Sequence, residues 1–135
     1  MSFCNDIQTA IYQRLSTYPA LTAIVSGVYD DVPQANGRAN DAYPYVTIGD
    51  DSLVADAQDD AVGFSGSIVI HSWSISRGRK QIKSIQGEIF NALSRYDLPI
   101  TTRKLITLEW ASDSSFIDAD SVTRHGVSTY SITAL

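Results

Sequence analysis

The sequence predicts an α+β fold: a mixed or antiparallel sheet of about four to five strands with a long central strand, packed against two helices. Three observations predict it. The run Ser67-Ile68-Val69-Ile70-His71-Ser72-Trp73-Ser74-Ile75 is dense in β-branched and aromatic residues, the composition of a strand. Ile82, Ile85, Ile89 and Leu93 then recur at i, i+3, i+7 and i+11, one apolar stripe along a helix. A second helical spacing opens the chain, and shorter apolar runs bounded by Gly, Pro and Asp account for the other strands.

From the N-terminus, Asp6 suits a helix N-cap and is followed at helical spacing by Ile7, Ala10, Ile11 and Leu15. Pro19 fits a first helical position, and Ala20–Val25 adds a short helical turn stopped by Gly27. Val28-Tyr29-Asp30 reads as a brief strand. From Asp31 to Tyr43 the chain is rich in Pro, Asn, Gly and Asp with no apolar period, a loop of about twelve residues, long enough to suggest a role. Tyr45-Val46-Thr47-Ile48 follows Pro44 as a strand that ends in Gly49-Asp50-Asp51. Asp50 to Asp60 holds five Asp and few apolar residues, which predicts a second exposed loop.

The long strand begins near Phe64 and runs through Gly66–Ile75, a stretch of about 33 Å. Ile68 and Ile70 share one of its faces; Val69, His71, Trp73 and Ile75 share the other. Both faces are therefore expected to be covered, with Trp73 in the core beside Ile68, Ile70 and the helical stripe. Arg77-Gly78-Arg79 turns the chain into a helix over Lys80–Leu93, where Gly87 costs about 1 kcal/mol relative to Ala and suggests close packing. Asp97-Leu98-Pro99 closes that region. Leu105–Trp110 reads as a strand with Ile106, Leu108 and Trp110 on one face, and Asp113–Asp120 as a polar connection. Val122–Thr133 is the last strand, expected to bulge at Gly126 because Val127 falls out of step with Tyr130 and Ile132.

A chain of 135 residues, 44% apolar and 19% charged, suits one globular domain over 1–135. No apolar run approaches the roughly 20 residues of a membrane span, and Met1–Asp6 lacks the pattern of a signal peptide. The single Cys4 can form no internal disulfide, so a soluble protein made in a cytoplasm is expected. The net charge of −5 is unevenly spread. Residues 1–60 carry nine Asp against Arg14 and Arg38, while residues 61–135 carry eight Lys and Arg against six acids. Such a division lets copies meet head to tail, since complementary patches favour association and fix register. It lacks the basic excess of a specific nucleic-acid binder.

Convergent reactive groups are scarce. His71 and His125 fall inside expected strands and read as hydrogen-bonded sheet histidines. Cys4 has no His/Asn arrangement nearby, and there is no Walker A loop, GxSxG elbow or HExxH helix. Asp50, Asp51, Asp56, Asp59 and Asp60, or Asp118 and Asp120, offer oxygen ligands of the type Ca²⁺ or Mg²⁺ takes. Asp118-Ala119-Asp120, however, lacks the glycine and distal Glu of an EF-hand loop. They read as a solvated acidic surface, or as an acidic lining facing DNA, since like charge keeps a polyanion from sticking to a channel wall. No catalytic, cofactor-binding or metal-ligating residue is assigned, and no cofactor is expected.

Gly63, the Ile68–Ser74 run, Arg77-Gly78 and the Ile82/Ile85/Ile89/Leu93 helix together resemble the phage tail-completion family, also called tail terminators, of siphophages, prophages and gene transfer agents. Ile7–Leu15 with Pro19-Ala20-Leu21, Val28-Tyr29 with Val32-Pro33, Pro44–Gly49 and Arg124-His125-Gly126-Val127 resemble its other segments in the same order. The resemblance carries over no catalytic residues. It implies a tail-terminator-like fold and a homohexameric ring that caps the tail tube and joins it to the head connector.

The partners it implies are further copies of this chain, the tail tube protein and a head-completion or connector protein. Double-stranded DNA would pass through the lumen as cargo, with no membrane involved. The location implied is the tail or neck of the virion, after assembly in the host cytoplasm. Candidate interface or lumen residues are Asp31, Pro33, Asn36, Arg38 and Asp41 in the first loop, and Asp50, Asp51, Asp56, Asp59 and Asp60 in the second. Competing readings are a head-side neck or minor tail protein, an Asp-based divalent-metal hydrolase, and an adaptor domain that binds one partner through a sheet edge.

Overall fold

Periodicity dictates the helices. In the computed structural model, which describes residues 3–30, 43–58, 61–94, 96–100 and 106–134, helix α1 spans Phe3–Ser16 and buries Ile7, Ala10, Ile11 and Leu15 along one face. Pro19 opens the single turn of α2 (Pro19–Thr22), where its missing N–H is no loss, and Leu21 is buried. Helix α3 (Lys80–Leu93) buries Ile82, Ile85, Ile89 and Leu93 as its spacing requires, and Gln86 and Ala92 with them. Arg14 links the helices: its Nε donates to the Ala92 carbonyl at 2.8 Å, and its guanidinium lies 4.0 Å over the Tyr96 ring.

The strands are β1 (Gly27–Tyr29), β2 (Tyr45–Gln58), β3 (Ala61–Ser74), β4 (Ile106–Ile117) and β5 (Arg124–Ala134). They form one mixed sheet in the order β1-β2-β3-β5-β4, with β1 parallel to β2 and every other pair antiparallel. The long strand β3 lies at its centre. The helices cover one face, over Val46, Ile48, Ile68, Ile70, Leu108, Tyr130 and Ile132.

Four expectations are corrected. Asp50 to Asp60 is not an exposed loop: the β2–β3 ladder runs on through Ser52↔Ser67 and Val54↔Ser65 to Gln58↔Ala61. Beyond Asp51 this hairpin has solvent-exposed residues such as Ser52, Val54 and Ala55, while Leu53 and Phe64 turn partly into the core. A strand so exposed needs no apolar alternation, so its composition imitates a loop. The polar stretch after Trp110 is likewise strand, since β4 continues to Ile117 along the sheet edge.

Gly126 carries no bulge. Burial alternates without a break from Gly126 to Ile132, and Val127 simply faces the other side. Gly126 is small because α3 sits on it, where an added Cβ would lie 2.8 Å from Gln86 Nε2. The ladder shifts occur instead at Gly49/Asp51, where Asp50 has φ 40°, and at Trp110/Ser112. Finally, Trp73 is only half-buried and stands outside the core, on the sheet face away from the helices. Buried Ser72 and Ser74 take the helix side at that level, and Ser74 Oγ donates to Gln81 Oε1 of α3.

Candidate assembly surfaces

Strand alternation sends His71 and Trp73 to the face opposite the helices, and the register aligns them with partners on every strand. Tyr29, Tyr45, Trp73, His125 and Phe116 form a row across β1, β2, β3, β5 and β4, one ring per strand. Tyr45 stands opposite Trp73, Trp73 opposite His125, and His125 opposite Phe116. The Trp73 and His125 rings stack at 3.8 Å and 14°, and Trp73 Nε1 donates to Thr47 Oγ1 at 3.1 Å. Cross-strand aromatic pairs of this kind stiffen a sheet by about 0.2–1 kcal/mol each. Burial pushes the Tyr45 hydroxyl upward, with Tyr43 adding to it, so that phenol stays protonated.

Beside the row runs a chain of four side chains. Asp50 Oδ2 lies 3.4 Å from His71 Nε2, His71 Nδ1 lies 2.7 Å from His125 Nε2, and His125 Nδ1 lies 3.8 Å from Asp118 Oδ1. Only the His71–His125 contact is a hydrogen bond, one imidazole donating to the other. The two carboxylates stand too far or too poorly aligned to accept and act on the pair through their charge, Asp50 the more weakly because its side chain is 83% exposed and solvated by water. Burial, and secondarily His71, holds the His125 pKa below its ordinary value against the pull of Asp118. His125 is therefore kept neutral at neutral pH. Among the described residues neither ring has a Ser, Thr or Cys partner, so no nucleophile is activated here. No group of three or more His, Cys, Asp or Glu among those residues converges on a metal position.

Of the interface candidates, Asp50 and Asp51 are exposed at the base of the β2–β3 hairpin, and Asp56 lies farther out, paired in register with Gly63. Asp31, Pro33, Asn36, Arg38, Asp41, Asp59 and Asp60 lie outside the described residues. The structure thus brings Asp50 together with His71, His125 and Asp118, a set the sequence does not reveal. His71 and His125 are far apart in the chain, and only the β3–β5 register shows that they touch.

A mixed sheet backed by helices, with a long acidic hairpin and exposed Trp110, Phe116 and Ile117 on an edge strand, has the form of an assembly component rather than a catalyst. The family model for tail completion protein gp17 matches residues 9–134. The chain belongs to that family of structural phage tail proteins, and it is not an enzyme. It is 26% identical, over 121 residues, to the tail completion protein gp17 of Bacillus phage SPP1, covering 90% of this chain and 86% of that one. Its fold is similar to a chain in the virion of a native gene transfer agent particle, with a TM-score of 0.86 at 21% identity over 98% of both chains. It is also similar to the solved SPP1 gp17 protein, with a TM-score of 0.59 at 22% identity over 96% of this chain and 88% of the other. No helix among the described residues is long and apolar enough to cross a membrane.

Proposed function

We propose that this chain is the tail terminator of a tailed phage or phage-like particle. It forms a homohexameric ring that caps the finished tail tube and joins it to the head connector, with double-stranded DNA passing through the lumen as cargo. The whole chain acts as one ring subunit, assembled in the host cytoplasm and retained in the tail or neck of the virion.

The observation that carries this reading is the family match across residues 9–134. The architecture supports it: a ring subunit needs a stiff body and segments that reach its neighbours. The helix-backed sheet is the first, and the β2–β3 hairpin is the second. The Asp residues of that hairpin suit either a contact with a basic neighbour or a channel wall that repels DNA.

Sedimentation velocity of the pure chain, alone and with purified tail tubes, tests the ring. A hexamer in solution or on tubes is expected. A monomer under both conditions refutes it.

A further inference from the structure

Six successive residues, Ile75-Ser76-Arg77-Gly78-Arg79-Lys80, are exposed where β3 turns into α3. Gly78 makes the turn at φ 76°, a left-handed conformation that other side chains resist. The turn thereby presents three cations in four residues, Arg77, Arg79 and Lys80, and exposed Lys83 follows one helical turn further on. Among the described residues none of the four has a carboxylate within ion-pair distance, since both ion pairs there belong to histidines. Four like charges so close repel one another, and the first turn of α3 holds no acid to offset them. In a chain of net charge −5, an island of bare cations points to compensation by an anionic partner.

The surroundings say which kind of anion. Protein interfaces are enriched in aromatic side chains and depleted in Lys. Here the exposed rings Tyr12, Phe90, Trp110 and Phe116 lie elsewhere, on α1, on the far half of α3 and on β4. Beside the turn stand Ser76, Gln81 and Ser84, and Ile24 is the one apolar residue among the described lining of the cleft they share with Arg77 and Lys80. Guanidinium, ammonium, hydroxyl and amide groups are the donors that contact phosphate oxygens. Each strand of a duplex offers a phosphate about every 3.4 Å of axis. Lys80 and Lys83, about 4.5 Å apart along the helix, are spaced to reach neighbouring ones.

We propose that the β3–α3 turn holds the backbone of double-stranded DNA, with Arg77, Arg79, Lys80 and Lys83 on phosphates and no base read. This rests on the reading that DNA passes through the ring, and it names the surface that meets the DNA. It also orients the subunit. Ser65, paired with Val54 in the β2–β3 hairpin, lies about 33 Å from Ile75 at a strand's rise per residue. The hairpin therefore stands away from the bound backbone and is left for a protein neighbour.

The test is fluorescence anisotropy of a labelled duplex of about 30 base pairs, titrated with the whole chain between about 10 and 100 mM salt. Four phosphate contacts predict an association constant that falls by about 3–4 powers of ten over that decade. Two duplexes of unrelated sequence should bind alike. Arg77→Gln with Arg79→Gln should halve the salt dependence, to about 2 powers of ten. The fourfold variant that adds Lys80→Gln and Lys83→Gln should not bind. Both variants should melt as the wild type does, because all four side chains are exposed.

No binding by the wild type at the lowest salt, or a fourfold variant that binds with the wild-type salt dependence, overturns the contact and leaves the ring standing. If the wild type ignores the duplex while the fourfold variant loses its hold on purified tail tubes, the cluster serves an acidic protein, and the DNA contact is overturned. Sedimentation judges the ring separately: a wild-type monomer that still binds the duplex through these cations removes the ring and keeps the contact.

Discussion

Replacing Gly66 by alanine probes the hairpin at its tightest point. A Cβ at Gly66 would sit 1.9 Å from the Ser52 carbonyl oxygen and 2.9 Å from Leu53 Cα, both backbone atoms that no rotamer change can move. Bringing the oxygen contact from 1.9 Å to a tolerable separation of about 3 Å means parting β2 from β3 by about 1 Å. Ladder bonds of about 2.9 Å then stretch beyond the limit of useful geometry. Losing one or two of them, at about 1 kcal/mol each, plus the strain that remains, gives an expected cost of about 2–4 kcal/mol. Urea unfolding measures that cost. Hydrogen exchange should place it, with amides of Ser52–Gln58 losing protection before those of β5. A Gly66→Ala protein within 0.5 kcal/mol of the wild type, a margin of about experimental noise, with an unchanged exchange pattern would refute the close approach.

Ile89 and Phe90 are neighbours on α3 with opposite environments. Ile89→Ala should cost about 2–5 kcal/mol because the side chain is fully enclosed, whereas Phe90→Ala, exposed and set edge-on to Trp110, should cost about 1 kcal/mol. Equal costs in urea titrations would contradict the orientation of the helix. Trp73→Ala, at a half-buried site stacked on His125, should cost about 2 kcal/mol, less than the 3–5 of a fully buried ring; a loss above about 4 would return Trp73 to the core. Stability should also fall on acidification. The folded His125 pKa lies below the unfolded 6.5, so between those two values the unfolded chain binds more protons. Stability is full above 6.5, declines as pH falls toward the folded value, and loses this component in His125→Gln. Thermal melts between about pH 8 and 5.5, above the carboxylate range, read it, and an identical slope in the variant would contradict it.

Much of the fold is legible in the sequence because one-sided burial leaves a period. The Ile82/Ile85/Ile89/Leu93 stripe and the β-branched run through Ile70 each show one face packed against the other. Where that condition fails, so does the reading. Residues 51–58 and 111–117 are strand, with the side chains of 51–55 and 111–117 largely solvated, and nothing in their polarity separates them from loop. The Trp73 environment misleads for a related reason: its size suggests the core, but strand parity sets it on the open face, where other aromatic rings and not helices half-cover it. The Asp50–His71–His125–Asp118 chain has no local trace at all, because it depends on the pairing of three strands. The charge division, by contrast, is plain in the sequence.

The central claim is that this chain ends the tail and attaches it to the head. Electron microscopy of particles assembled with this one chain deleted tests it most directly. Filled heads beside separate tails, with tail lengths scattered or tail ends uncapped, are the expected result. Intact particles with tails of normal length, joined to heads in normal yield, would contradict the claim.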